Sequence, residues 1–201
     1  MTDMTFRNED ALIKRITDDV ADAASPVFIV IDGRCGTGKT TFAERLAAKL
    51  HAPVIHVDDF YLPKEKRTPE RMEKCGGNID SERFCAEVMI PLQNGEPFSY
   101  RPYDCGKGEL CSPVNVPESK ACIIEGTYSY LLCPDSRITV FVTATAEEQL
   151  RRLSFRESAE KLEMFRKIWI PKEEKYFETF DVCDKCNYIY DTTDKTDETR
   201  K

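Results

Sequence analysis

The stretch VFIVIDGRCGTGKTTFAERLAAKL, residues 27–50, constrains this chain more than any other. Residues 27–31 are a continuous apolar, β-rich run, the composition of a strand buried on both faces of a parallel sheet. Residues 39–50 carry a helical pattern. Between them, Gly33-Arg34-Cys35-Gly36-Thr37-Gly38-Lys39-Thr40 fits G-x-x-x-x-G-K-[ST], with the strand before and the helix after that a phosphate-binding loop requires. The glycines let successive backbone N–H groups approach an anion without a Cβ in the way. The helix that starts near Gly38 adds its unpaired N–H groups and the positive end of its dipole. Lys39 is placed to reach the β- and γ-phosphates and the Thr40 hydroxyl to ligate Mg²⁺. Gly33, Gly36, Thr37, Gly38, Lys39, Thr40 and Thr41 are therefore the expected ATP contacts. Cys35 sits inside this loop, where N–H groups and a helix N-terminus would favour thiolate and ATP-protected alkylation, but the favoured reading is a small side chain filling space under the loop.

Similar apolar runs follow at 54–57, 121–124 and 138–142, with a fifth candidate at 188–190. Helical patterns fill 80–93, 146–160 and 161–179. Another helix over 9–23 carries Leu12, Ile13, Ile16 and Val20 at helical spacing and ends before Pro26. Strands alternating with helices predict an α/β fold, a three-layer P-loop NTPase sandwich on a mainly parallel five-stranded sheet. Residues 94–118, punctuated by Asn94-Gly95, Pro97, Pro102, Gly106, Gly108, Pro113 and Pro117, read as a loop or hairpin excursion outside that sheet. The polar segment 64–79, with Gly76-Gly77, reads as a mobile surface stretch. At 201 residues the chain is expected to form one domain over 1–193, with 194–201, DKTDETRK, as a disordered tail.

Lys and Arg number 29 against 36 Asp and Glu, a net charge of −7, which argues against broad attraction to nucleic acid or an anionic membrane. Any anion must be held by a local site. No apolar run approaches a bilayer span and the N-terminus lacks a signal-peptide layout, so a cytoplasmic location is expected. Nine scattered cysteines then read as reduced thiols; Cys183 and Cys186 form one Cys-x-x-Cys, which lacks two further ligands for a structural zinc site. The sequence leaves self-association into a homo-oligomer open.

Three more segments point to phosphoryl transfer. VIHVDDFYLP, residues 54–63, puts two acids at the carboxyl end of a strand, where open α/β sheets bind ligands. A carboxylate near the γ-phosphate can take the acceptor's proton, and adjacent strand residues face opposite sides, so one of Asp58 and Asp59 is the base. ACIIEGTYSY, residues 121–130, is a Walker-B-like strand in which Glu125 supports Mg²⁺ or the acceptor. In EEQLRRLSFRES, residues 147–158, Arg151, Arg152 and Arg156 lie on a helix from which arginines can close over the transferring group, Arg152 and Arg156 being the expected catalytic pair. The chain has no Asn-Lys-x-Asp guanine reader and is short for a motor. A small-molecule kinase is the leading class, with a non-catalytic nucleotide-binding regulator as the rival.

The combination of residues 33–40 with VDDFY, NIDSERF, YRPYD, IIEGTYS and RRLSFRE resembles the uridine kinase and phosphoribulokinase-like branch of the P-loop kinases, over about residues 25–191. It looks most like the short bacterial proteins of uridine kinase-like type. The resemblance implies that Asp58, first acid of the Asp-x-Phe-Tyr motif, is the base, and that Asp80 holds sugar hydroxyls. It also implies acceptor contacts from Tyr61, Arg101, Tyr103 and Asp104. The family's His/Arg-containing stretch after the Tyr-Asp element is replaced here by CGKGELCSP, and the arginine cluster is one residue longer. A nucleoside is thus the first expected acceptor, with a nucleoside monophosphate, pantothenate, glycerate or a sugar phosphate behind it.

Overall fold

The computed structural model describes residues 4–194; residues 195–201, most of the expected tail, lie outside them. In chain order the strands are β1 (Thr5–Phe6), β2 (Val27–Gly33), β3 (Val54–His56), β4 (Phe98–Tyr100), β5 (Tyr103–Asp104), β6 (Glu109–Leu110), β7 (Val114–Val116), β8 (Ala121–Glu125), β9 (Ile138–Thr143) and β10 (Tyr188–Asp191). The main sheet runs β1-β10-β9-β2-β8-β3 with every neighbouring pair parallel. The expected five strands are all present. The sixth, β1, pairs Thr5 with Ile189 and Phe6 with Tyr190 at one edge, and two residues are too few to leave a periodicity in sequence.

Alternation along each strand splits the core into two layers. Ile29, Ile31, Ile123 and Val140 face helices α1 (Glu9–Ala21) and α2 (Lys39–Leu50), where they meet Leu12, Ile16, Phe42 and Leu46. Val30, Ile124 and Phe141 face the other way, toward Phe84, Val88, Tyr176 and Phe177. The helix α1 begins where Asn8 Oδ1 accepts the Ala11 N–H at 2.9 Å, satisfying one of the first turn's unpaired donors.

The remaining helices are α3 (Pro69–Met72), α4 (Ser81–Phe84), α5 (Ile90–Asn94), α6 (Ser129–Leu132), α7 (Ala146–Arg156), α8 (Ala159–Met164), α9 (Ile170–Phe180) and α10 (Val182–Lys185). Wide turns over Cys85–Met89 and Phe165–Trp169 join α4 to α5 and α8 to α9. Each is followed by a proline, Pro91 or Pro171, that can neither donate its N–H to the preceding turn nor avoid the carbonyl four residues back; one extra residue in the turn relieves both.

The excursion is a nested hairpin, β4 antiparallel to β7 and β5 antiparallel to β6, and it lends Tyr100 and Val116 to the core. The segment 64–79 is anchored: Arg67 Nε donates to the Leu62 carbonyl at 2.7 Å, and Arg71 forks onto Glu82. All nine cysteines are free thiols, and among the described residues no three His, Cys, Asp or Glu side chains converge on a metal-sized point. No described helix is long and apolar enough to cross a membrane. The sheet positions the site through β2: the chain leaves β2 for β3 on one side and later crosses from β8 to β9 on the other, opening a crevice at the carboxyl end of β2.

Candidate active site

At that crevice the β2–α2 corner curls into a loop. Gly38 precedes the first helical residue at φ 90° with no side-chain cap, so the first N–H groups of α2 are left to the loop's interior. Lys39 reaches back across the corner, its Nζ donating to the Gly33 and Arg34 carbonyls at 2.8 and 2.9 Å. The Thr40 hydroxyl donates to Glu125 Oε1 at 3.1 Å, and His56 Nδ1 stands 2.8 Å from the same oxygen. Parallel pairing of β8 with β2 and β3 sets this up, because it aligns Glu125 with Ile31 and with His56 at one level of the sheet.

Beyond the loop opens a cleft of about 630 Å³, within the usual range of small-molecule sites. Of the site residues named from the sequence, Gly36, Gly38, Lys39, Thr40, Thr41, Asp58, Tyr61, Glu125 and Arg156 line it. Asp58 and Asp59 part company as anticipated, although for a different reason. The strand β3 ends at His56, and residues Val57–Phe60 form a tight 3₁₀ turn in which neighbours diverge by about 120°. Asp58 lines the cleft beside Tyr61, and desolvation there pushes its carboxyl above the ordinary range. Asp59 turns away from the cleft toward the excursion, half-buried, and accepts the Tyr100 hydroxyl at 2.8 Å.

Other expected site residues stand behind the cleft wall. Asp80 caps α4 through the Arg83 N–H at 3.2 Å and meets Lys66 at 3.3 Å. Arg101 holds the Leu110 and Cys111 carbonyls, Asp104 accepts the Gly106 and Lys107 N–H groups of its own turn, and Tyr103 is buried in the hairpin. In this structure Arg101, Tyr103 and Asp104 build the excursion, and Asp80 starts α4. Thr37 is buried with its hydroxyl on the Arg34 carbonyl at 2.7 Å, and Gly33 is packed against β9. Arg152 is also no lid residue here: its guanidinium bonds Glu148, the Thr192 hydroxyl and the Thr192 carbonyl at 2.7, 2.9 and 2.6 Å, bracing the loop from outside. Arg156 does face the cleft, beside Glu157.

The Arg152 brace makes a prediction about acid. Arg151 and Arg152 hold the Glu148 carboxyl down at about 2, below its ordinary 4.5. A carboxyl lowered by folding stabilises above its unfolded pKa and loses that contribution as pH falls toward its folded one. With partial solvent screening, Glu148→Gln is expected to cost about 1 kcal/mol at pH 7 and progressively less as pH falls from about 4.5 toward 2. Urea midpoints of the two proteins at pH 7 and pH 3 check this.

Several wall residues carry no sequence motif. Asp32, wholly buried, accepts the Gly33 and Tyr130 N–H groups and the Tyr176 hydroxyl at 2.6, 2.9 and 2.8 Å, tying α6 and α9 to the end of β2. Its signal was present, an acid closing an otherwise apolar strand. Tyr128, Phe165 and Trp169 add aromatic surface, and Arg67 and Lys161 add cationic groups. Glu173 of α9 enters from above and accepts the Cys35 N–H at 3.0 Å. Burial, with Glu173 beside it, pushes the Cys35 thiol up to about 12, which agrees with the favoured reading of a small side chain packed under the loop and not with the thiolate alternative.

No protein-family model and no curated protein matches this sequence. Solved structures do. One described as a "Possible Uridine Kinase from Bacillus stearothermophilus" is 21% identical, covering 91% of this chain and 97% of that one, at a TM-score of 0.69. A "putative fructose transport system kinase" from Silicibacter sp. TM1040 is 17% identical over 91% and 98%, at 0.63. A "putative P-loop containing kinase with a circular permutation" from Saccharomyces cerevisiae is 12% identical over 90% and 97%, at 0.58. At these identities the likeness establishes the fold, that of the P-loop kinases.

Proposed function

We propose that this chain, built on the P-loop kinase fold, transfers the γ-phosphoryl group of ATP to a hydroxyl of a small molecule, with a nucleoside as first-choice acceptor. The observation that carries the reading is convergence in one cleft: a tethered lysine, a hydroxyl–carboxylate pair and one cleft-lining aspartate. The N–H groups of residues 36–40 and Lys39 would hold the phosphates. Thr40 and Glu125 offer two hard oxygens 3.1 Å apart, which suits Mg²⁺, an ion that takes its other ligands from water and phosphate. Bound there, it would neutralise charge on the β- and γ-oxygens.

Asp58 would accept the acceptor's hydroxyl proton as the new O–P bond forms and the bond to ADP breaks. Its raised affinity for a proton suits that role. Arg156, on the open side, would meet charge on the transferring group. Aromatic faces at Tyr61, Tyr128 and Trp169 favour an acceptor with a planar base. Arg67 in the same wall favours a nucleoside monophosphate as the second reading.

The test is ADP release from Mg-ATP across uridine, cytidine, deoxynucleosides, UMP, CMP, pantothenate and glycerate. A nucleoside is expected to stimulate turnover in the wild type and not in Asp58→Asn. If ATP binds and nothing on the panel stimulates release, the acceptor assignment falls and a nucleotide-binding regulator becomes the better account.

A further inference from the structure

A carboxyl group already occupies a donor of the phosphate loop. Glu173, 8% exposed, projects from α9 into the cleft and its Oε2 accepts the Cys35 N–H at 3.0 Å. That N–H is the next one along the loop from residues 36–40, whose N–H groups would hold the phosphates. Electrostatically coupled to this carboxyl are Lys39 and Asp32 from the loop's base, Cys35 from the loop, Tyr61 after β3 and Tyr128 after β8. Lys39 is the cation among them, and it is also the side chain that would neutralise the terminal phosphates. The next residue, Glu174, is engaged otherwise, forking onto Arg34 at 2.6 and 2.8 Å and anchoring α9 to the loop.

We propose that Glu173 is a specificity-determining residue: its carboxylate holds the loop donor and the lysine field that the γ-phosphate must take over, so it weakens binding of a nucleoside triphosphate relative to a diphosphate. The inference rests on the nucleotide reading of the loop. Charge repulsion between a carboxylate and a γ-phosphate sharing one set of donors is relieved only when the side chain withdraws. Glu173 sits on α9, joined through one wide turn to α8, and residues on this stretch, among them Lys161, Phe165 and Trp169, wall the cleft. Its withdrawal therefore links the nucleotide to the wall that would meet the acceptor.

Dissociation constants of Mg-ATP and Mg-ADP, by isothermal titration, test this in the wild type, Glu173→Gln, Glu173→Ala and Glu174→Gln. Both Glu173 variants are expected to tighten ATP about tenfold and ADP by less than about threefold. Glu174→Gln loosens the Arg34 anchor without changing the charge that faces the donors, and is expected to keep the wild-type ratio. Because the readout is a ratio within one protein, partial loss of fold lowers both affinities and leaves it unmoved. A wild-type ratio in both Glu173 variants, or weaker ATP binding alone, overturns the inference while the loop reading stands. A wild type that binds neither nucleotide overturns both.

Discussion

Lys39→Ala is expected to lower kcat/KM for phosphoryl transfer by about a thousandfold, the scale of losing one preorganised donor to developing charge. Asp59→Asn should stay within about threefold of the wild type by the same accounting. The contrast follows from where the two side chains are held. Lys39 Nζ is fixed over the loop by the Gly33 and Arg34 carbonyls, which places an ammonium inside the cleft before any ligand arrives. Asp59 faces the excursion, where its carboxylate receives the Tyr100 hydroxyl and its carbonyl receives Arg83 at 2.7 Å. An asparagine can still accept both bonds. Initial rates on a stimulating acceptor, with thermal melts to confirm folding, read the comparison. Near-wild-type rates for both variants would sink the kinase reading as well as the role of Lys39.

What was legible in the sequence was what local periodicity and backbone chemistry dictate. The run 27–31 had to be a buried strand, and the glycine corner after it had to turn the chain into a helix at Lys39. Less legible was what depends on which way a side chain turns. Tyr100-Arg101-Pro102-Tyr103-Asp104 carries residue types that bind ligands, but the same donors and acceptors satisfy a hairpin's own backbone, and Arg101 and Asp104 do that here. That only one of Asp58 and Asp59 faces the site was argued from strand alternation, and the chain had already left the strand. Glu173 was the hardest to find. It lies beside an identical neighbour on a helix whose phase is reset by the wide turn before Pro171, so no continuous helical wheel over 159–180 says which glutamate faces the loop.

Gly33→Ala is expected to destabilise the protein by more than about 4 kcal/mol, enough to leave it largely insoluble, since a clash with backbone cannot be relieved by rotating a side chain. Gly33 sits at φ 134°, and a Cβ there would lie 2.0 Å from the Val142 carbonyl oxygen and 2.7 Å from its nitrogen. Those atoms belong to β9, the neighbouring strand, so room could be made only by prising β2 from β9 at the centre of the sheet. Gly38→Ala makes the informative partner. Its added Cβ meets nothing within 4 Å, and the cost is confined to a left-handed backbone at φ 90°, about 1–2 kcal/mol. That variant is expected to fold, with its loop donors misdirected and nucleotide affinity reduced. Soluble yield and urea midpoints separate the two. A Gly33→Ala protein of wild-type stability would show that the first glycine answers to the anion after all. The geometry instead divides one motif between two constraints: its first glycine closes the sheet, and the glycine before Lys39 aims the loop.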